Sequence, residues 1–303
     1  MIKRIIKKLL IGKRDKVSAE AALHKDAYLG DWSDYKAIKQ NAIFTIGVGR
    51  SGTHFMAKLL GEDSKINAFH LDDIKDAVGD AFLFYSEYYG LPVDNFGFLA
   101  SRNHLIESSK SQGKLYFESN PYISFSVDSL KSEFDGKFIY MYRNPLNVVN
   151  SHVNKGWYSQ IPGQRDFSSA LGYQYYMRQS NHFFGRITPK TRDEFDRWKA
   201  LTQVGRVAWK WNMMNEGILE RLAPLDENDY WKVYLDDFDY SRYKEIHDFV
   251  GGETLLTEEG FDGIRASKPG KGIITRKVSD WSALEMKEFE EETLPARTKL
   301  GLV

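Results

Sequence analysis

No cysteine occurs among the 303 residues. Disulfides, zinc thiolates, iron–sulfur clusters and a cysteine nucleophile are thereby excluded. The seven histidines are scattered, with no HExxH or comparable ligand spacing. Net charge is also missing, because 42 basic residues balance 42 acidic ones. No overall field attracts nucleic acid, and no nucleic-acid partner is expected. No apolar run is long enough to span a bilayer or to form a signal-peptide core. Internal repeats and low-complexity linkers are absent too. These absences lead to the expectation of a cytoplasmic chain, at most peripheral to a membrane. The length suffices for one large core.

Charge is uneven in one place. The first sixteen residues, MIKRIIKKLLIGKRDK, hold seven basic residues and one acid. Ile2, Ile5, Ile6, Leu9 and Leu10 fall at helical spacing on one face, and Lys3, Arg4, Lys7 and Lys8 on the other. A basic amphipathic helix over residues 2–11 suits an anionic membrane surface. A solvated basic tail has the same composition. The organisation read from this pattern is a lead-in over residues 1–40 and one domain over 41–303.

Apolar runs mark strands at 42–48, 115–118, 137–142 and 231–235. Helical periodicity marks 53–61, 72–88, 96–110, 124–133, 145–154, 196–222, 239–250 and 283–292. This alternation predicts an α/β fold, a mainly parallel central sheet flanked by helices on both faces. Residues 155–195 are less regular and rich in aromatics: Trp157, Tyr158, Tyr173, Tyr175, Tyr176, Phe183 and Phe184. Aromatics with polar tips suit either a wall for a sugar-like acceptor or the core of an inserted helical pair.

Residues 44–60, FTIGVGRSGTHFMAKLL, are the most informative segment. A buried-strand run stops at Gly47, Gly49 and Gly52, and a helical pattern follows at once (Phe55, Met56, Leu59, Leu60). A strand, a glycine turn and a helix N-terminus together form an anion site, with outward N–H groups and a favourable helix dipole. Arg50, Ser51 and Thr53 add a cation and two hydroxyls. Gly47, Gly49 and Gly52 also fit the dinucleotide pattern G-x-G-x-x-G, with Asp72 and Asp73 about 20 residues on, where a ribose-binding acid stands. The Walker A spacing fits as well. There, however, Thr53 replaces the lysine and His54 the magnesium-binding hydroxyl, which argues against ATP or GTP hydrolysis.

A second block follows the strand KFIYMY and reads RNPLNVVNSHVNKGW. Asn144 fits a helix N-cap and Pro145 the first helical position. Arg143 therefore stands at a strand's carboxyl end, and Ser151 about two turns into the helix. Ligands of open α/β sheets bind outside such carboxyl ends. An Arg fork beside a hydroxyl suits a second phosphate.

RSGT after the first strand, then YRNP with a serine eight residues beyond its arginine, resembles the PAPS-dependent sulfotransferases, and is closer to the bacterial and carbohydrate-type members. PAPS is 3′-phosphoadenosine 5′-phosphosulfate, and PAP, 3′-phosphoadenosine 5′-phosphate, is its product. The resemblance implies a P-loop-like sulfotransferase fold. It places Gly49, Arg50, Ser51, Gly52, Thr53 and the adjoining His54 at the 5′-phosphosulfate, although His54 departs from the residue usual there. It places Arg143 and Ser151 at the 3′-phosphate. Weaker likenesses extend from Ala42 to Val303. YLDDF at 234–238 looks like a familial strand end. RKVSDW at 276–281 looks like a basic segment closing over the nucleotide, which carries Arg276 and Lys277 to that role.

The implied reaction moves a sulfuryl group to an acceptor hydroxyl by in-line displacement, with PAP leaving and no metal required. The expected acceptor is a glycan, a glycolipid or a small hydroxylated molecule. Charge developing on sulfuryl oxygens is stabilised by fixed N–H groups and cations, and Arg50 is the candidate. A general base must take the acceptor proton. His70, in NAFHLDDIK, stands 20 residues after Arg50, where relatives in this family place a catalytic acid or a His–Glu pair. Asp72 lies two residues later, and Glu118 ends a strand in YFESNPY. These three remain in competition. A nicotinamide-type Rossmann enzyme and a non-catalytic nucleotide-binding protein of the same fold are the alternative readings.

Overall fold

The computed structural model describes residues 42–71, 77–91, 95–159, 187–267 and 275–303. Five strands, β1 (Ile43–Gly47), β2 (Ile66–His70), β3 (Leu115–Ser119), β4 (Lys137–Tyr142) and β5 (Tyr230–Tyr234), form one sheet in the order β2-β3-β1-β4-β5. Every neighbouring pair is parallel. The described residues also form ten α-helices. The first five are α1 (Thr53–Leu60), α2 (Ala77–Tyr89), α3 (Phe96–Ser111), α4 (Val127–Phe134) and α5 (Pro145–Asn154). The other five are α6 (Arg192–Ala200), α7 (Gln203–Leu222), α8 (Tyr240–Val250), α9 (Glu258–Ala266) and α10 (Ala283–Lys299).

Strand residues alternate between two faces, and each face has its own core. Phe44, Ile46, Phe138 and Tyr140 point to one side, under α2 to α7 and α10. Ile43, Phe117, Ile139, Met141 and Val233 point to the other, under α1, α8 and α9. The chain leaves β1 through α1 toward β2, and leaves β4 through α5 toward β5 on the opposite side. The carboxyl ends of β1 and β4 thus flank a topological switch point, where open α/β sheets bind ligands.

The expected α/β class and flanking helices agree with this architecture, and four departures have physical causes. β2 was not anticipated, because in this edge strand only Ile66 is fully buried and no apolar run marks it. The helix expected over 196–222 is two helices. Leu201 is extended, and Thr202 caps α7 by accepting from the Gly205 N–H while its own N–H and hydroxyl donate to Glu288. α9 was also missed; Thr257 caps it. α10 continues through Pro295 to Lys299, because Phe289, Thr293 and Ala296 are buried and Asn212 accepts the Ala296 N–H at 2.8 Å. At the edge of the described chain, the Tyr158 hydroxyl donates to the Ile187 carbonyl at 2.5 Å, fully out of solvent. The expected helix over 2–11, and Tyr173, Tyr175, Tyr176, Phe183 and Phe184, lie outside the described residues.

Candidate anion-binding site at the switch point

The glycine loop is shaped by contact with β4. Gly47 faces Met141 across the ladder, and a Cβ on it would stand 2.3 Å from the Met141 carbonyl oxygen. Only glycine permits that approach. The Ser124 hydroxyl seals the same peptide by accepting from the Gly47 N–H at 3.0 Å. The turn then closes with the Ser51 N–H donating to the Val48 carbonyl at 3.1 Å. Arg50 sits in the left-handed region at φ 77°, and Gly52 at φ 103° caps α1 without any side chain. The first N–H groups of α1 therefore meet no side-chain cap and are open to an anion. The Ser51 hydroxyl is fully buried and has no hydrogen-bond partner.

The second block stands opposite. Asn144 accepts the Leu146 N–H at 2.9 Å and Pro145 occupies the first helical position, which starts α5 at the exit of β4. Arg143 donates to Asp236 at 3.3 Å, and the same carboxylate accepts the Asn144 N–H at 2.8 Å and the Asn147 amide at 3.2 Å. Asp236, in the segment after β5, thus orients the block, a role that no local pattern in YLDDF announces. Across the crevice, Arg50 Nε donates to Ser151 Oγ at 3.1 Å. Residues 101 positions apart are joined there.

Positive charge is concentrated in this crevice. Burial and the nearby Arg143 lower the Arg50 pKa. Lys155, at the end of α5, is lowered by partial desolvation of its ammonium and by Arg50. His152, next to Ser151, is fully buried and stacks on Trp157 with ring centroids 4.0 Å apart. The Lys210 ammonium of α7 lies 4.2 Å from the Trp157 ring centroid. Mutually repelling cations are an arrangement that an anion relaxes. Sequence reasoning missed His152, Lys155 and Lys210, and named Trp157 only among the aromatics of 155–195. His152, Lys155 and Trp157 stand a few residues after Ser151 in the chain, but Lys210 joins them only through the packing of α7 on α5.

The remaining candidates fall in different places. His70 ends β2, half-buried, with its ring 4.8 Å from that of exposed His54 at a near-perpendicular 83°. Asp72 lies outside the described residues. Glu118 is fully buried, where it accepts from Arg102 at 2.9 and 3.2 Å, Tyr116 at 2.8 Å and Asn120 at 3.0 Å. Burial alone raises a carboxyl, but Arg102 and these hydrogen bonds outweigh it and hold Glu118 below its ordinary range. An ionised carboxylate with every lone-pair direction occupied has no room for an acceptor proton. Asp80 shares the same guanidinium at 2.6 Å, so this cluster joins α2, α3 and β3. Residues 275–276 do reach α5. Asn154 accepts the Thr275 and Arg276 N–H groups at 2.8 Å each and donates to the Arg276 carbonyl at 2.8 Å. The Arg276 guanidinium, however, turns to Glu285 at 2.6 Å, and Lys277 is exposed. Among the described residues no three His, Asp or Glu side chains cluster as a metal site would, and no helix is long and apolar enough to cross a membrane.

No family model and no curated protein matches this chain. Several solved structures are similar to it. The sulfotransferase domain from the curacin biosynthetic pathway shares 12% identity over 88% of this chain and 99% of that one, with a TM-score of 0.48. Sulfotransferase STF1 from Mycobacterium tuberculosis shares 14% over 89% and 81%, at 0.47. Mouse sulfotransferase SULT7A1, solved with PAP, shares 14% over 91% of each chain, at 0.45.

Proposed function

We propose that this protein is a sulfotransferase that moves a sulfuryl group from PAPS to an acceptor hydroxyl and releases PAP. The observation carrying this reading is the Arg50–Ser151 hydrogen bond, which joins the RSGT loop to the YRNP helix across the switch point. A dinucleotide or Walker-type reading gives that pair no task. The residues suit a donor with two separated anionic groups. Loop N–H groups, Arg50 and the orphaned Ser51 hydroxyl face the 5′ side. Arg143, steadied by Asp236, and Ser151 face the 3′ side.

In the transfer, an acceptor oxygen forms a bond to sulfur while the bond from sulfur to the bridging oxygen breaks, and PAP departs with that electron pair. Arg50 and the α1 N–H groups stabilise the charge that develops. His70 is the leading base, since Glu118 is committed to Arg102. Its imidazole takes the acceptor proton, the general-base role that histidine fills most often. Asp72 is the second candidate. The acceptor we favour is a carbohydrate or glycolipid hydroxyl, supported by the aromatic stretch 155–195 and by the basic helix pattern over residues 2–11.

The test is PAP release from PAPS against a panel of glycan, glycolipid and small hydroxylated acceptors. His70→Ala should abolish turnover with PAP binding intact; unchanged turnover removes His70 from its role. Stabilisation by NADP, with PAP no better than ADP, replaces the sulfotransferase reading with the dinucleotide one. PAP binding without transfer to any acceptor leaves a nucleotide-binding protein.

A further inference from the structure

Several buried polar side chains among the described residues lack a hydrogen-bond partner, and His152 stands out because both of its ring nitrogens do. It is fully buried, yet neither ring nitrogen has a well-formed hydrogen bond. Buried polar groups that lack partners call for an explanation. The ring is pinned on one side by Trp157, at 4.0 Å and 12° from parallel. Its Nε2 lies 3.9 Å from where a Cβ on Gly49 would stand, so it abuts the phosphate loop. The charged groups facing it are Lys210 from α7, Arg50 from the loop and Lys155 from α5 itself, and the Gly49 backbone is its polar neighbour. Burial, then Lys210 and Arg50, hold the imidazole well below its ordinary range, so it is neutral at physiological pH. A polyanion lying between Arg50 and Lys155 offsets their repulsion at this ring and favours its charged form.

We propose that His152 is a positioning residue that braces the glycine loop against α5, and that it takes up a proton from solvent when a phosphate-bearing nucleotide enters between Arg50 and Lys155. This rests on the nucleotide cradle of the proposed function, and is independent of sulfuryl transfer. The protonated ring supplies an N–H to the Gly49 backbone and adds a buried positive charge behind the phosphates. Nucleotide affinity then rises as pH falls toward 6, because the complex holds one more proton than its parts. Phosphate protonation near the same pH opposes this trend, so the comparison is made against a variant that cannot titrate.

The experiment is calorimetric titration of PAP, and separately of ADP, into the full chain at pH 6.5. Two non-phosphate buffers of different ionisation enthalpy are used. The wild type should show a buffer-dependent binding enthalpy with the sign of proton uptake. In His152→Gln the uptake should be lost, leaving only the opposite-signed proton release of the ligand phosphates, with affinity about fivefold weaker, since one hydrogen bond is altered. His152→Phe, which keeps the stack on Trp157 but donates nothing, should bind more weakly still. Equal buffer dependence in wild type and His152→Gln overturns the proposal. The wild-type imidazole followed by NMR provides a check that needs no variant: neutral alone and charged with PAP, or neutral in both if the idea is wrong. Proton uptake without transfer activity sinks the sulfotransferase reading and leaves His152 its role. Transfer with a ring that never charges does the reverse. If neither nucleotide binds, both fall.

Discussion

Arg143→Gln should separate the two ends of the nucleotide. In the structure Arg143 is paired with Asp236 at 3.3 Å, and the two side chains are 34% and 27% exposed. Such a partly exposed pair contributes about 0–1 kcal/mol. A hydrogen bond from the same guanidinium to a phosphate contributes about 1.5–3 kcal/mol. The difference, about 0.5–3 kcal/mol, corresponds to a loss of about 2- to 150-fold in PAP affinity. ADP has no 3′-phosphate and should bind within about threefold of its wild-type affinity. Ser151→Ala should behave differently, because Ser151 also accepts from Arg50. It should weaken PAP about fivefold, the worth of one hydrogen bond, and should carry part of that loss over to ADP. Calorimetry with both ligands reads the two ratios directly. Equal losses of PAP and ADP in Arg143→Gln would refute the assignment of Arg143 to the 3′ side.

Three further predictions concern other parts of the molecule. Glu87 on α2 accepts from Ser126 at 2.8 Å, and burial pushes its carboxyl up to about 7. Its folded pKa is raised, so the native state keeps a proton that the unfolded chain loses. The associated stability is full below the unfolded value and disappears as pH rises through 7. Urea unfolding should show the wild type losing up to about 3 kcal/mol relative to Glu87→Gln between pH 5 and pH 8; parallel pH profiles would count against this. Glu118→Gln breaks the buried cluster with Arg102 and Asp80 and should cost about 3 kcal/mol in denaturant unfolding. Turnover per folded molecule should persist, whereas a base replaced by Gln would lose it. Removing residues 1–16 should abolish sedimentation with anionic liposomes; equal binding by both forms removes the membrane role of that segment.

The legible parts of the chain were those where local chemistry and burial coincide. β4 and α5 begin and end where the sequence places them, because a continuous apolar run meets an Asn–Pro start. β2 was invisible, since an edge strand with one fully buried residue carries no periodic signal. The two anion-binding blocks could be read as residues, but their meeting could not. Arg50 and Ser151 are joined by strand order, and strand order is not written in either segment. The same limit hid Lys210 beside Trp157 and Asp236 beside Arg143. Glu118 attracted notice as an acid at a strand end. Its meaning changed once Arg102, in a helix that precedes it in the chain, proved to occupy it.

The Tyr158–Ile187 hydrogen bond has an evolutionary consequence. It closes the chain on itself at a buried point, which holds residues 158 and 187 together whatever the length of the connection between them. Shortening or lengthening such a connection threefold alters the closure cost by only about 1 kcal/mol. This aromatic-rich stretch begins just past the helix that carries Ser151. Its length is therefore open to change between lineages at little cost in closure entropy.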